Sequence, residues 1–190
     1  LSLLLAAQTA TAADGKFTVK AELKNFGDTV VAMIPQGKTY HRDTILVKNN
    51  KFTATLHVDE PKDIYLLSME TLHRKENKQL RIVAVPGETL ELKGDVTTRY
   101  DIGGTKFYQQ YGQFDRQLET AQKALNDLGE RLSQRIKAGE DRSKVMDEYE
   151  AKAPALEKKV NDAIVGFIKQ HADWEASAAA VVALGKDEIE

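Results

Sequence analysis

Ile102-Gly103-Gly104-Thr105-Lys106-Phe107-Tyr108-Gln109-Gln110-Tyr111-Gly112-Gln113-Phe114 is the stretch at which the apolar pattern of this chain changes its period. Before it, apolar residues tend to recur at every second position, as along a strand whose side chains alternate between two faces. After it, Phe107, Tyr111, Phe114, Leu118, Ala121, Leu125, Leu128 and Leu132 recur at spacings of four and three, which places them in one narrow stripe on a helix. The pair of glycines between the two regimes reads as a strand-to-helix turn, with Thr105 as N-cap of the helix. The sequence therefore predicts an α+β chain: an all-β module over 13–102 and a helical segment over 103–190.

Working back toward the N-terminus, Phe17, Val19, Ala21 and Leu23 alternate with Thr18, Lys20, Glu22 and Lys24. Asn25-Phe26-Gly27-Asp28 offers a turn before Thr29-Val30-Val31-Ala32-Met33-Ile34, an unbroken apolar run expected of a strand buried on both faces or ending in the core. Pro35-Gln36-Gly37 ends it. Strands over 44–48 and 51–58 flank Asn49-Asn50, whose tolerance of positive φ predicts a tight hairpin. Glu60-Pro61 breaks the pattern before Ile64-Tyr65-Leu66-Leu67, and the polar stretch 71–78 reads as a solvated excursion. A strand-turn-strand unit follows, with Pro86-Gly87 between 80–85 and 88–93. Several short antiparallel strands of this kind predict a β sandwich or a partly open barrel.

Working forward, Ala138-Gly139-Glu140-Asp141 supplies a glycine to end the first helix and a carboxylate to cap the next. Met146, Tyr149, Ala153, Leu156, Val160, Ala163, Phe167 and Trp174 carry the second stripe, widened by Ile164 and Ile168. So short a turn predicts an antiparallel helical hairpin. Pro154 lacks an amide proton and clashes with the preceding turn, which predicts a kink or break near 151–154. Asp173 is the expected N-cap of a third helix over 174–184. Two stripes wider than their shared seam would leave apolar surface uncovered, so the 107–174 face is a candidate for self-association or for a protein partner.

Composition narrows the function classes. The 190 residues are 42% hydrophobic and 29% charged, an ordinary globular composition, with Lys+Arg 27 against Asp+Glu 29 and a net charge of −2. That balance lacks the basic footprint of a nucleic-acid binder. No run after the N-terminus approaches the roughly 20 apolar residues of a membrane span. Leu3-Leu4-Leu5-Ala6-Ala7 followed by Ala10-Thr11-Ala12 looks like the remnant of a signal peptide over 1–12, cleaved after Ala12 or Ala13, with a helical tail as the alternative. The expected location is the periplasm or cell envelope, which the absence of cysteine permits.

No residue is singled out as catalytic, cofactor-binding or metal-binding, and no cofactor is expected. Ser68, Ser133, Ser143 and Ser177 stand outside any G-x-S-x-G elbow. His41, His57, His73 and His171 are isolated from one another and lack ligand spacing. The carboxylate pairs Asp59-Glu60, Asp147-Glu148 and Glu188 with Glu190 lie in polar stretches, whereas acid-base work needs two groups in different environments. Gly103-Gly104 has no phosphate-loop motif around it, and the aromatic residues Phe107, Tyr108, Tyr111 and Phe114 have no basic groove beside them.

Four short motifs, in order, carry a family resemblance: Lys48-Asn49-Asn50-Lys51-Phe52-Thr53, Pro61-Lys62-Asp63-Ile64-Tyr65-Leu66, Val85-Pro86-Gly87-Glu88, and Gly103 to Tyr111. They resemble the hairpin, strand, turn and helix lead-in of the domain of unknown function 4369, an all-β module. Asn50 stands where that family usually has the hairpin glycine. The resemblance implies an exported module at the front of an envelope-located thioredoxin-like thiol-disulfide oxidoreductase. Residues 105–184 are similar to the helical connector, and Lys169-Gln170-His171-Ala172-Asp173 is similar to its helix break. The W-C-x-x-C element of that chemistry is absent here, and without a thiolate the exchange cannot occur in this chain. The expected role is thus non-catalytic docking or substrate presentation, the partner being another protein or a missing C-terminal thioredoxin-like domain. The alternatives are a stand-alone periplasmic binding or scaffold protein and, without a motif behind it, a hydrolase using carboxylates of the β module.

Overall fold

The structure, a computed structural model, describes residues 15–184. The expected signal-peptide remnant and its cleavage site, and the Glu188 and Glu190 pair, lie outside the described residues. The chain divides between Tyr100 and Asp101 into two compact units.

The first unit is an open sandwich of two four-stranded sheets. Its elements are β1 (Lys16–Lys24), β2 (Thr29–Gln36), β3 (Thr39–Leu46), β4 (Lys51–His57), β5 (Lys62–Ser68), the single-turn helix α1 (Met69–Leu72), β6 (Gln79–Ala84), β7 (Thr89–Asp95) and the start of β8 (Arg99–Gly104), whose residues from Asp101 on belong to the second unit. One sheet has the order β4-β1-β7-β8 and the other β3-β2-β5-β6. Period-two burial places Phe17, Val19, Ala21 and Leu23 of β1 with Leu90 and Leu92 of β7 on the inner face of the first sheet. Val30, Ala32 and Ile34 of β2, with Ile64 and Leu66 of β5, do the same for the second. Each Val, Leu, Ile or Phe among them removed from water contributes about 1.5–3 kcal/mol and each Ala less, so these inner faces are the main cohesive force of the unit.

The other expected strands and turns are present, but Gly103-Gly104, expected as the strand-to-helix turn, are the last residues of β8, so that Thr105 alone separates strand and helix, and the pairing differs in two places. Asn49 and Asn50 adopt φ of 52° and 62°, a tight two-residue turn closed by reciprocal hydrogen bonds between Lys48 and Lys51 of 2.9 Å each. The ladder stops there: β3 pairs with β2 and β4 with β1, so the turn carries the chain from one sheet to the other. Pro86-Gly87 acts likewise. β6 ends in the second sheet and β7 begins in the first, with the Gly87 amide donating to the Lys16 carbonyl (2.7 Å) and the Thr18 amide to that of Glu88 (3.1 Å). β7 then runs parallel to β1, Thr18 opposite Thr89 through Lys24 opposite Asp95, where an all-antiparallel arrangement was expected. A strand arriving from the opposite sheet is free of the reversal that a hairpin imposes, and parallel pairing becomes accessible.

The polar excursion is a folded loop and not free chain. Ser68, wholly buried, accepts from the Thr71 amide (3.0 Å) and donates to Glu76 (2.7 Å). The Thr71 hydroxyl in turn donates to the Lys78 carbonyl and accepts from its amide (3.0 and 2.8 Å).

The second unit holds α2 (Lys106–Lys137), α3 (Arg142–Gln170) and α4 (Glu175–Val181). Gly139 (φ 91°) ends α2 by donating to the Ile136 carbonyl, and Asp141 caps α3 by accepting from the amides of Ser143 and Lys144 (2.8 and 3.2 Å). The expected hairpin forms, and its seam is a pair of apolar clusters. Phe114, Val160, Ile164, Phe167 and Ala180 form one; Leu128, Leu132, Val145 and Ala153 form the other.

Three expectations change in the helices. Of the kink or break expected at 151–154, the break is absent: α3 runs through Pro154, which lies on the exposed side, where water can donate to the carbonyl that the ring leaves without a partner. The second stripe begins at Val145, fully buried, while Met146 is 40% exposed, and Ile164 sits deeper than Ala163. The third helix is capped at Trp174, one residue after Asp173, and Ser177 locks the turn by donating to the His171 carbonyl (2.6 Å).

Candidate interaction surface

The side chains capable of chemistry are dispersed and tied into structural roles. Ser68 organises the loop just described, Ser177 bonds backbone, and Ser133 and Ser143 are exposed. His41 hydrogen-bonds Asp43 (3.0 Å), His73 caps α1, and His171 stacks on Trp174 at 3.8 Å between ring centres. The Val58 amide beside His57 bonds the Gly15 carbonyl (2.7 Å). Gly104, at the end of β8, gives its carbonyl to the Gln109 side chain (2.9 Å), a backbone role at the helix lead-in. The aromatic residues 107, 108, 111 and 114 pack on one another; Phe107 lies edge-on to Tyr108 and stacks with Tyr111. Among the described residues no group of three or more His, Asp or Glu could hold a metal ion.

Five carboxylates, Asp59, Glu76, Asp95, Glu140 and Glu148, have their ionisation displaced downward. Glu148 is held at about 2 by hydrogen bonds from Lys152 and Arg135, and Arg135 also holds Glu140 low. The Lys78 ammonium and the Ser68 hydroxyl lower Glu76, Lys62 lowers Asp59, and the Thr97 hydroxyl and amide lower Asp95. A general acid at neutral pH needs the opposite displacement. At neutral pH these groups are anions held in local hydrogen bonds and ion pairs, and the Arg135, Glu140 and Glu148 set fastens the tip of the helical hairpin.

The two sheets differ in what they turn outward. The outer face of the first carries Lys20, Glu22, Lys51, Thr53, Glu91 and Lys93 around a shallow groove of about 430 Å³. Its lysines and glutamates alternate, as in Lys20 with Glu91 (3.7 Å) and Lys51 with Glu22 (3.4 Å), which is the pattern of a solvated face. The outer face of the second is different. The registers align Met33 with Tyr65 and Val31 with Leu67, and flank β2 with Tyr40, Arg42, Thr44 and Leu46 of β3. Tyr40 is 50% and Leu46 69% exposed, although both continue an apolar row.

β3 is also the edge of its sheet. The Val47 amide donates to Asp28 (2.9 Å), which fixes the parity: odd-numbered residues here turn their backbone groups toward β2. The N–H and C=O groups of Tyr40, Arg42, Thr44 and Leu46 therefore point to the free side, and among the described residues no strand pairs there. A row of open backbone groups beside exposed apolar side chains is the geometry of strand addition.

Sequence reasoning missed residues 39–43 as strand, because an edge wet on both sides shows no alternation. The signal available was the Gly37-Lys38 step between Gln36 and Thr39, the length of a two-residue hairpin loop. The apolar stripes of 107–174, by contrast, are largely consumed within the helical unit, leaving Ile136, Met146 and Val182 as exposed large apolar side chains there.

An open β sandwich with a helical unit and no assembled reaction centre among the described residues defines a β-rich module. The family model of the domain of unknown function DUF4369 matches residues 17–111, and the chain belongs to that family. No curated protein and no solved structure matches the chain.

Proposed function

We propose that the chain is a non-catalytic docking module exported to the cell envelope, the front region of a thioredoxin-like thiol-disulfide oxidoreductase. The observation that carries docking is the open β3 edge with Tyr40 and Leu46 exposed beside it. The absence of cysteine from all 190 residues assigns any thiol chemistry to another polypeptide segment. The order of the four motifs, which resembles the front module of envelope thioredoxin-like proteins, supports the oxidoreductase context, and the family match supports the β module itself.

The test is intact mass and peptide mapping of the protein isolated from an envelope fraction of its source. The reading predicts a mass well above that of 13–190, a Cys-x-x-Cys downstream, and recovery from the envelope. A mass equal to 13–190 overturns the oxidoreductase context in favour of a stand-alone binding protein. Recovery from the cytoplasm overturns export.

A further inference from the structure

From the edge geometry we infer that β3 accepts, as an added antiparallel strand, an extended segment of another polypeptide with the pattern apolar-x-small-x-acidic-x-aromatic. This rests on the docking reading and deepens it by naming the partner's chemistry. Main-chain pairing requires open donors and acceptors, and Tyr40, Arg42, Thr44 and Leu46 present them at every second residue. Specificity then comes from the side chains of the same four residues, which share the outer face. An incoming strand running opposite to β3 meets Leu46, Thr44, Arg42 and Tyr40 in turn. Leu46 and Tyr40, both largely exposed, take apolar and aromatic neighbours, and Thr44 takes a small one. Arg42, exposed and on the same row, takes a carboxylate. The other face of the edge carries His41 bonded to Asp43, polar groups placed opposite buried Ile34 and Ala32 of β2.

The same charges argue against a second copy of this chain as the occupant. Antiparallel pairing of β3 with itself centred on residue 42 sets Arg42 against Arg42, and centred on residue 43 sets Asp43 against Asp43. Like charges directly opposite across strands are destabilising, and inward-facing charge on an edge strand is a recurrent guard against self-pairing.

The probe is a blocked peptide, Leu-Val-Thr-Lys-Glu-Thr-Phe with two flanking lysines at each end, titrated into the ¹⁵N-labelled full chain. Saturable amide shifts confined to 39–46 and neighbouring β2 are expected. Replacing the peptide's glutamate by lysine weakens binding by about tenfold, and Arg42→Glu in the protein reverses that preference. Thr44→Pro removes an edge N–H while leaving the β2 ladder intact, and abolishes binding. Should Thr44→Pro fail to fold, the charge exchange at Arg42 decides alone. Equal affinity for both peptides, no binding at millimolar peptide, or concentration-dependent self-pairing through β3 overturns the inference. Shifts that map to another surface also overturn the β3 assignment, while leaving the docking reading to the mass and fractionation test.

Discussion

Gly112 and Gly129 lie in the same helix, and the structure assigns opposite signs to the same substitution at the two positions. A Cβ added at Gly112 comes closer than 3.0 Å to the Ile102 carbonyl oxygen and 3.1 Å from its carbon. Both are backbone atoms, with no rotamer to relieve the overlap. At Gly129 nothing lies within 4 Å of the added carbon. Alanine in a helix interior is favoured over glycine by about 0.5–1 kcal/mol. Gly129→Ala should keep that gain in full. Gly112→Ala sets the same gain against an overpacking cost of about 1–3 kcal/mol or more, for a net loss on the order of 1–2 kcal/mol. For a unit of this size 1 kcal/mol moves Tm by roughly 4–8 °C. Thermal unfolding followed by circular dichroism at 222 nm should therefore show Gly112→Ala melting about 5–15 °C lower and Gly129→Ala a few degrees higher. A Gly112→Ala variant that melts above the parent would refute the close approach of helix and strand end.

Three further outcomes are expected. Glu148 has its pKa depressed to about 2, so its contribution is complete above the ordinary carboxylate range and is lost as pH falls from about 4.5 toward 2; Glu148→Gln should flatten the acid limb of the helical melting curve, and an unchanged limb would disprove the assignment. Ser68→Ala leaves a buried position without its hydroxyl and deprives the Thr71 amide and Glu76 of a partner, so urea unfolding should show a loss of about 1–2 kcal/mol. Asn50→Gly relieves the positive φ of the sheet-crossing turn and should raise stability by about 0.5 kcal/mol; destabilisation would mean that the Asn50 side chain contributes beyond its backbone.

What could be read from the sequence followed from periodicity, and what could not followed from pairing. Phe17 to Leu23 declared a strand and Phe107 to Leu132 a helix because each buries one face at a regular interval. The Asn49-Asn50 and Pro86-Gly87 turns were visible as turns, yet both connect different sheets, since turn chemistry sets the local backbone and not the neighbour that receives the next strand. Val145 in place of Met146 shows a stripe misassigned by one position where both candidates are apolar. Pro154 shows that a residue which removes a backbone donor need not end a helix where the orphaned carbonyl is open to water. Residues 39–43 were hidden for a different reason: an edge that leaves both faces wet has no burial pattern to display, so the surface best suited to a partner was the part of the sheet least marked in the sequence.

Amide hydrogen exchange across β3 tests most directly the claim that this module offers an open edge. The account predicts that the amides of Tyr40, Arg42, Thr44 and Leu46 exchange rapidly while those of His41, Asp43, Ile45 and Val47, directed at β2, are protected. Protection of both sets in the isolated protein would contradict it, because the edge would then already be covered.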